Sequence, residues 1–279
     1  MTATTAAGAP APAAESRSGA AFPRLLAMEW TKLRSVRSTV WSLLAFVVLT
    51  LGLSALLTWL QISQWDKLDP DQQLSYRRDA TGNILGSGFV LGQLAICVLG
   101  AMVITAEYST GMIRASLLAA PKRTPMLAAK ALVFAVVTFV IGEIVAFGAF
   151  FIAAPIVHSK APVSIGDKGV LRALFGAGLY LMMLGLFAMA IGALVRHTAG
   201  AITGVIAFVE VLAPLAQLLP GSLGKHIHAY LPTEAGHLVA QTVPGPKDLL
   251  SAWQGFGVFA LWTAVLLVVA GIIMKRRDA

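Results

Sequence analysis

Charged residues are scarce in this chain: only 12% of its 279 residues are Asp, Glu, Lys or Arg, against about 25% in a soluble domain. Hydrophobic residues make up 57% of the chain, so too few polar groups remain to cover a soluble surface. This balance excludes a disordered chain, a fibrous protein and an ordinary cytosolic enzyme. The composition therefore predicts a polytopic membrane protein.

Cysteine occurs once, as Cys97 in an apolar run. A single cysteine excludes an intrachain disulfide, a zinc cluster of thiolates and CxxC redox chemistry. The sequence also lacks the nucleotide-binding pattern GxxxxGK[ST] and the patterns HExxH, GxSxG and GxGxxG. We therefore expect that the chain is not an enzyme by itself and that it holds no cofactor of its own.

Six long stretches are nearly free of charge. Four contain no charged residue, and the two others contain one glutamate each. Every stretch exceeds the roughly 20 residues that a helix needs to cross about 30 Å of hydrocarbon. None alternates with a period of two, so α-helices are the spanning structure. We predict an all-α transmembrane domain over residues 22–277, with spans at about residues 40–60, 84–105, 131–154, 172–195, 199–219 and 252–274.

The basic residues predict the orientation in the membrane. An even number of spans places both termini on one side, and 13 of the 21 Lys and Arg residues fall on that side. The positive-inside rule makes this side cytoplasmic, as expected of a multi-pass protein of the cell membrane. The basic residues are spread over five separate segments, so they do not indicate nucleic-acid binding.

The first 21 residues are mostly Ala, Thr, Pro and Ser and predict a disordered cytoplasmic tail. The next segment has a helical period and one apolar face, which is typical of an amphipathic helix in the membrane interface. Trp30 is expected at headgroup depth, and Lys32 and Arg34 belong to the same helix. Glu29 interrupts the apolar face, so its carboxylate must face protein or a cation and not lipid; the alternative is that it reaches Lys32 one turn later.

The loop after the second span is predicted to contain a short amphipathic helix. Ser109 or Thr110 can cap this helix, Leu117 belongs to its apolar side, and Pro121 ends it. Such a helix between two spans suits docking into a groove of a soluble partner. The alternative is a tight turn whose apolar residues rest on the membrane surface.

These segments together resemble the permease subunits of ABC-2 type transporters of the actinobacterial type. The resemblance is carried by Glu29-Trp30-Thr31-Lys32-Leu33-Arg34-Ser35, Glu107-Tyr108 followed by Thr110-Gly111 and Arg114, the Pro121-Lys122-Arg123 turn, and Lys130. Members of the family usually read Gly-Thr where this chain reads Thr110-Gly111.

The resemblance implies an exporter of a hydrophobic or amphipathic substrate. It would contain two permeases, as a homodimer or with a paralogue, and two separate ATPase subunits that bind ATP. The amphipathic N-terminal helix would be the family's connecting helix, and Thr110 to Leu118 its coupling helix. The residues implied in coupling to the ATPase are Glu107, Tyr108, Thr110, Gly111, Arg114 and Leu117.

Glu143 and Glu210 lie inside predicted spans. A carboxylate near the bilayer centre costs about 2.5–3.5 kcal/mol on insertion scales, so both should face the bundle interior, a partner subunit or water. Three roles are open from the sequence. The glutamates are proton carriers of an ATP-independent secondary transporter, polar parts of an ATP-driven transport path, or structural groups that hydrogen-bond to a neighbouring helix.

The segment between the fifth and sixth spans, about residues 220–252, is half polar. It contains His226, His228, Glu234 and His237, but these residues form no complete ligand pattern, and we predict no metal site. Its apolar residues favour short helices that dip back into the outer membrane surface. Re-entrant helices of this kind also occur in the resembling family.

Small residues predict where the spans touch each other. Gly88 and Gly92 form a GxxxG pattern in the second span, Gly200 and Gly204 form another in the fifth, and glycines 178, 185 and 192 recur every seven residues in the fourth. Glycines allow two helix backbones to approach closely, which supplies much of the packing energy in lipid. We expect these contacts to lie within one subunit.

Overall fold

The computed structural model describes residues 22–112, 123–245 and 248–276, and this part of the chain is helical without strands. We number ten helices in the described residues. They are α1 Phe22–Ser35, α2 Arg37–Ser63, α3 Pro70–Arg78, α4 Ala80–Ser109, α5 Arg123–Val157, α6 Val170–Val195, α7 Thr198–Gln217, α8 Gly221–Tyr230, α9 Pro232–His237 and α10 Ala252–Arg276. Two short 3₁₀ turns, Trp65–Lys67 and Leu238–Ala240, complete the described elements.

The six predicted spans are confirmed. Helices α2, α4, α5, α6, α7 and α10 are each long and apolar enough to cross a membrane. The largest difference at a helix end is at the start of α5, which begins at Arg123 and not near residue 131. Hydropathy locates only the stretch that faces hydrocarbon, whereas a helix continues through the interface until its backbone is interrupted. The additional turns of α5 carry Lys130.

Helix α6 forms the centre of the bundle. In the apolar stretch of α6, 67% of the residues are buried in the protein, compared with 17% in the apolar stretches of α2 and α10. Helices α4, α5 and α10 pack against α6, and α2 packs against α4 and α5. The outer helices therefore present apolar side chains such as Trp41 and Leu261 outward, as expected of surfaces that face lipid.

Two of the three predicted glycine contacts occur within the chain. Gly88 and Gly92 of α4 lie against Thr50 of α2, and Gly192 of α6 lies against the backbone of Ala101 in α4. At Gly204 of α7, by contrast, a Cβ atom would have no neighbour within 4 Å among the described residues. The close contacts of the α4 and α6 glycines therefore lie inside one subunit. Gly204 has open space beside it.

The two ends of the bundle differ. Helix α1 lies across the start of α5, where Leu25 is buried beside Ala129. We call this the α1 end. At the opposite end, α8, α9 and the Leu238–Ala240 turn follow α7 and precede α10 along the chain. Short helices were predicted in this part of the sequence.

Residues 232–240 enter the bundle at this second end, and we call them the re-entrant segment. Ala235, Val239 and Ala240 are fully buried there. The carbonyl of Val239 lies directly over Gly176 of α6, and that of Ala235 over Gly255 of α10, so a side chain at either glycine would collide with backbone. These two glycines allow the segment to fit between α6 and α10.

Candidate functional site

Four charged side chains meet at the α1 end, and we call them the charge cluster: Glu29, Lys32, Glu107 and Lys130. The Lys130 Nζ lies 2.5 Å from Glu29 Oε2 and 2.8 Å from Glu107 Oε1. The Lys32 Nζ lies 2.8 Å from Glu29 Oε1 and 2.9 Å from Glu107 Oε1. Each cation thus bridges both carboxylates, and the cluster is neutral.

The charge cluster is largely removed from water. The side chains of Glu29, Glu107 and Lys130 are only 2–3% exposed, whereas Lys32 is 20% exposed. Burial lowers the pKa of Lys32, but hydrogen bonds and charge from Glu29 and Glu107 outweigh it and raise that pKa above its ordinary value. Buried charges persist only when they are paired and hydrogen-bonded. Each of the four side chains has such a partner, although Glu107 Oε2 accepts no hydrogen bond from the described residues.

The cluster connects three helices. Glu29 and Lys32 belong to α1, Glu107 to the last turn of the long helix α4, and Lys130 to the third turn of α5. The chain between α4 and α5 is the loop in which the coupling helix is predicted. The cluster therefore fixes α1 to both sides of that loop. Both alternatives for Glu29 hold, since its carboxylate contacts Lys32 and also the distant Lys130.

Aromatic and polar contacts extend this connection at the α1 end. The guanidinium carbon of Arg196 lies 5.1 Å from the ring centroid of Tyr108, a cation–π arrangement between the ends of α6 and α4. The Nη1 of Arg123 donates to the carbonyl of Met274 at 2.6 Å, which joins α5 to the end of α10. The ends of four spans are thus linked here.

The residues implied in coupling fall into two groups. Glu107 and Tyr108 lie within α4, and Thr110 caps it, with its hydroxyl donating to the Ala106 carbonyl at 2.7 Å. Arg114 and Leu117 lie outside the described residues, as does most of the predicted coupling helix. Its docking role stays a prediction.

Gly111 explains why this chain carries Thr110-Gly111 in that order. Its φ is +70°, a backbone conformation that a β-branched residue rarely adopts. With the more usual Gly-Thr order, a threonine would occupy this position. The chain leaves α4 through a turn that glycine permits without strain.

The N-terminal helix presents its other predicted residues outward. Trp30 is half exposed and Arg34 is exposed, while Leu25 and Glu29 are buried on the opposite side. The face that contacts α5 is thus the one interrupted by Glu29. This arrangement leaves Trp30 on a surface that could meet the membrane interface.

Glu210 takes part in a hydrogen-bonded chain within the bundle. The hydroxyl of Tyr180 in α6 donates to Gln93 Oε1 in α4 at 2.8 Å, and Gln93 Nε2 donates to Glu210 Oε1 at 2.7 Å. We call Tyr180, Gln93 and Glu210 the polar triad. It joins α4, α6 and α7 inside the spanning region.

A π-helical turn at Ala207–Val211 carries Glu210. Pro214 follows four residues later, so it has no N–H to bond to the Glu210 carbonyl, and its ring would collide with that carbonyl in a regular α-helix. Widening the helix by one residue relieves this conflict.

Glu143 has a different environment. Its carboxylate lies over Gly178 of α6, in space that a side chain at that position would fill. Both carboxylate oxygens are buried, and neither has a hydrogen-bond partner among the described residues. The structure does not bring Glu143 into the polar triad with Glu210.

The re-entrant segment is held by two charged residues. Asp79, at the start of α4, accepts hydrogen bonds from the Thr242 N–H at 2.9 Å and hydroxyl at 2.6 Å. Arg172, at the start of α6, donates to the carbonyls of Gln241 at 2.6 Å and Thr242 at 3.1 Å. Two spans therefore fix the exit of this segment.

The histidines near this end are not assembled as one site. His226 Nδ1 lies 2.8 Å from the Ser222 carbonyl, and His228 Nε2 lies 3.5 Å from Glu234. His237 packs edge-on against the rings of Phe89 and Tyr180, and burial lowers its pKa. Within the described ranges, no three His, Cys, Asp or Glu side chains come close enough to hold a metal ion.

Two open cavities flank the re-entrant segment. One of about 910 Å³ is lined by Lys225, His228 and Glu234, and one of about 740 Å³ by Asp71, Arg78 and Asn83. Both cavities share His237, Gln241 and Asp248. Of these three, His237 belongs to the re-entrant segment, which therefore borders both cavities.

Sequence reasoning missed several of these residues. It did not assign roles to Gln93, Tyr180, Asp79 or Arg172, and it treated Lys130 only as part of a family motif. One signal was available: Gln93 is the one amide side chain in a predicted span that is otherwise apolar or small. The partners of such a group are set by the relative positions of helices, which the sequence pattern does not give.

Comparison with known families gives one match. A family model described as ABC-2 family transporter protein matches residues 25–213, which include most of α1, the charge cluster and the polar triad. The match thus covers well over half of the chain. Comparison with curated proteins gives no match.

Proposed function

The chain belongs to the ABC-2 transporter family, and we propose that it is the permease that exports a hydrophobic or amphipathic substrate with a separate ATPase subunit. The observation that supports coupling is the charge cluster, which joins α1 to both sides of the α4–α5 loop. Force applied to this loop would move the ends of three helices together. The partner would bind and hydrolyse ATP, and this chain would hold no cofactor.

A second permease, either a copy or a paralogue, would complete the transport path. The apolar outward faces of α2 and α7 are consistent with such a partner as well as with lipid, and Gly204 on α7 leaves room for close approach. Families of this kind generally work with an ATPase and often dimerise, which agrees with the proposal.

Replacing Leu117 by aspartate tests the coupling assignment. In a groove of the ATPase, an unpaired charge costs several kcal/mol, so the Leu117→Asp variant should no longer co-purify with the ATPase subunit. A matched control is Leu74→Asp, an exposed leucine of α3 at the opposite end of the bundle. The control should retain the ATPase. Equal co-purification of both variants would contradict the docking role of the loop.

We also propose that the α1 end is cytoplasmic, because most basic residues lie there. Single cysteines at exposed Arg34, Asp69 and Lys160, in a Cys97→Ser background, test this orientation. In intact cells an impermeant maleimide should label positions 69 and 160 but not position 34. Labelling of position 34 without labelling of the other two would show the opposite orientation.

The proton-coupled alternative has less support from the geometry. A proton relay needs titratable groups linked by hydrogen bonds, and Glu143 is not linked to Glu210 by any hydrogen bond in the described part of the chain. Glu210 contacts an amide, which does not titrate. We therefore assign Glu210 to the transport path and Glu143 to the α5–α6 contact.

A further inference from the structure

One face of α4 carries residues that line one of the cavities and, one turn further along, Gln93, which contacts Glu210. The cavity of about 740 Å³ is lined by Asn83, Gly86 and Val90. Their spacing of three and four residues places them on one face of the helix. Gln93 follows three residues later on the same face and donates to Glu210 at 2.7 Å. The innermost α4 residue of the cavity thus lies one helical turn before the polar triad.

The charge around this cavity and Glu210 is mainly negative. The cavity is lined by three carboxylates, Asp71, Asp79 and Asp248, and by one arginine, Arg78. Further in, Glu210 forms no salt bridge with any Lys or Arg side chain that the structure describes. A carboxylate away from water attracts a cation more strongly than it does in solution. This distribution of charge favours positive over negative solutes.

The surroundings of Glu210 suit a molecule that is partly apolar. Val90 is exposed on the same face of α4 as Gln93, and Val211 is exposed next to Glu210 on α7. Gln93 occupies Oε1 of Glu210, which leaves Oε2 for a ligand. Tyr180 in turn holds the Gln93 amide in its orientation, so the acceptor is fixed before a ligand arrives.

We propose that the Gln93–Glu210 pair binds the positively charged group of an amphipathic cation, and that such cations are the substrates exported. The substrate class rests on the proposed export function, whereas binding itself does not require the ATPase. The cation would contact Glu210 Oε2, and its apolar part would contact the exposed side chains of α4 and α7.

Binding of tetraphenylphosphonium to the full chain in zwitterionic lipid nanodiscs tests this proposal without ATP. Tetraphenylborate, an anion of matched shape, serves as the comparison, and empty nanodiscs give the contribution of lipid. We expect protein-dependent, saturable binding of the cation and none of the anion. Glu210→Gln should weaken cation binding at least about tenfold, since it removes the charge but keeps the shape.

Two further variants distinguish binding from a folding defect. Glu210→Asp keeps the charge and should retain the preference for the cation. Glu143→Gln removes the other membrane carboxylate and should change affinity less than about twofold. Unchanged binding in Glu210→Gln, an equal loss in Glu143→Gln, or equal protein-dependent binding of the anion would each overturn the proposal. Because co-purification of the ATPase is measured separately, the permease assignment would stand in those cases.

Discussion

Replacing Lys130 by methionine should destabilise the folded protein by about 3–5 kcal/mol, because the change leaves two buried carboxylates with one cation. Lys130 is 3% exposed and bridges Glu29 and Glu107. Water cannot solvate the unpaired carboxylate, because Glu29 and Glu107 are as buried as Lys130. Thermal unfolding of the purified protein in detergent measures the effect, and the midpoint should fall sharply.

Two control variants distinguish the loss of charge at position 130 from the loss of packing. Lys160→Met removes an exposed lysine and should change stability by less than about 0.5 kcal/mol. The double variant Lys130→Met with Glu107→Gln restores neutrality, because Glu29 and Lys32 remain as a pair. It should recover part of the loss. A double variant less stable than Lys130→Met alone would show that packing and not charge explains the effect.

The composition of the charge cluster suits the coupling role that we propose. A buried ion network adds little net stability over apolar packing of the same volume. Its directional contacts, however, specify which helices meet, since each cation must reach both carboxylates at once. We infer that the cluster keeps α1, α4 and α5 in one arrangement, as the proposed coupling through the loop between α4 and α5 would require.

The sequence predicted the spans well because each depends on composition alone. Twenty or more apolar residues must cross the bilayer as helix wherever they lie in the bundle. Helix α3, at Pro70–Arg78, was not predicted: it is short and polar, and it depends on tertiary contacts such as the hydrogen bond between Tyr76 and Gln61. The π turn before Pro214 was also missed, although the proline was visible.

The candidate site was predictable only in part for a related reason. Glu29 was recognised as misplaced on an apolar face, and Lys32 follows one turn later, so half of the charge cluster could be inferred locally. Lys130 lies 101 residues from its partner Glu29. Pairing at that distance depends on how α1 crosses α5, and hydropathy carries no information on helix crossing.

Replacing Gly255 by alanine should displace the re-entrant segment. The added methyl group would collide with the carbonyl of Ala235, a backbone atom that cannot rotate away. Overpacking of this kind costs about 1–3 kcal/mol. Thr233, at 6% exposure, is then expected to become accessible. A Thr233→Cys label in a Cys97→Ser background should react with maleimide several-fold faster in the Gly255→Ala variant.

Gly257 provides the matched control two residues further along α10. Apart from its chain neighbours and the backbone of its own helix, no described atom lies within 4 Å of a Cβ at this position, so Gly257→Ala meets no obstacle. Because alanine favours a helix over glycine, stability should stay the same or rise by up to about 1 kcal/mol. The cysteine at position 233 should remain slow to react. Equal labelling rates in the two alanine variants would contradict the close fit of the re-entrant segment between α6 and α10.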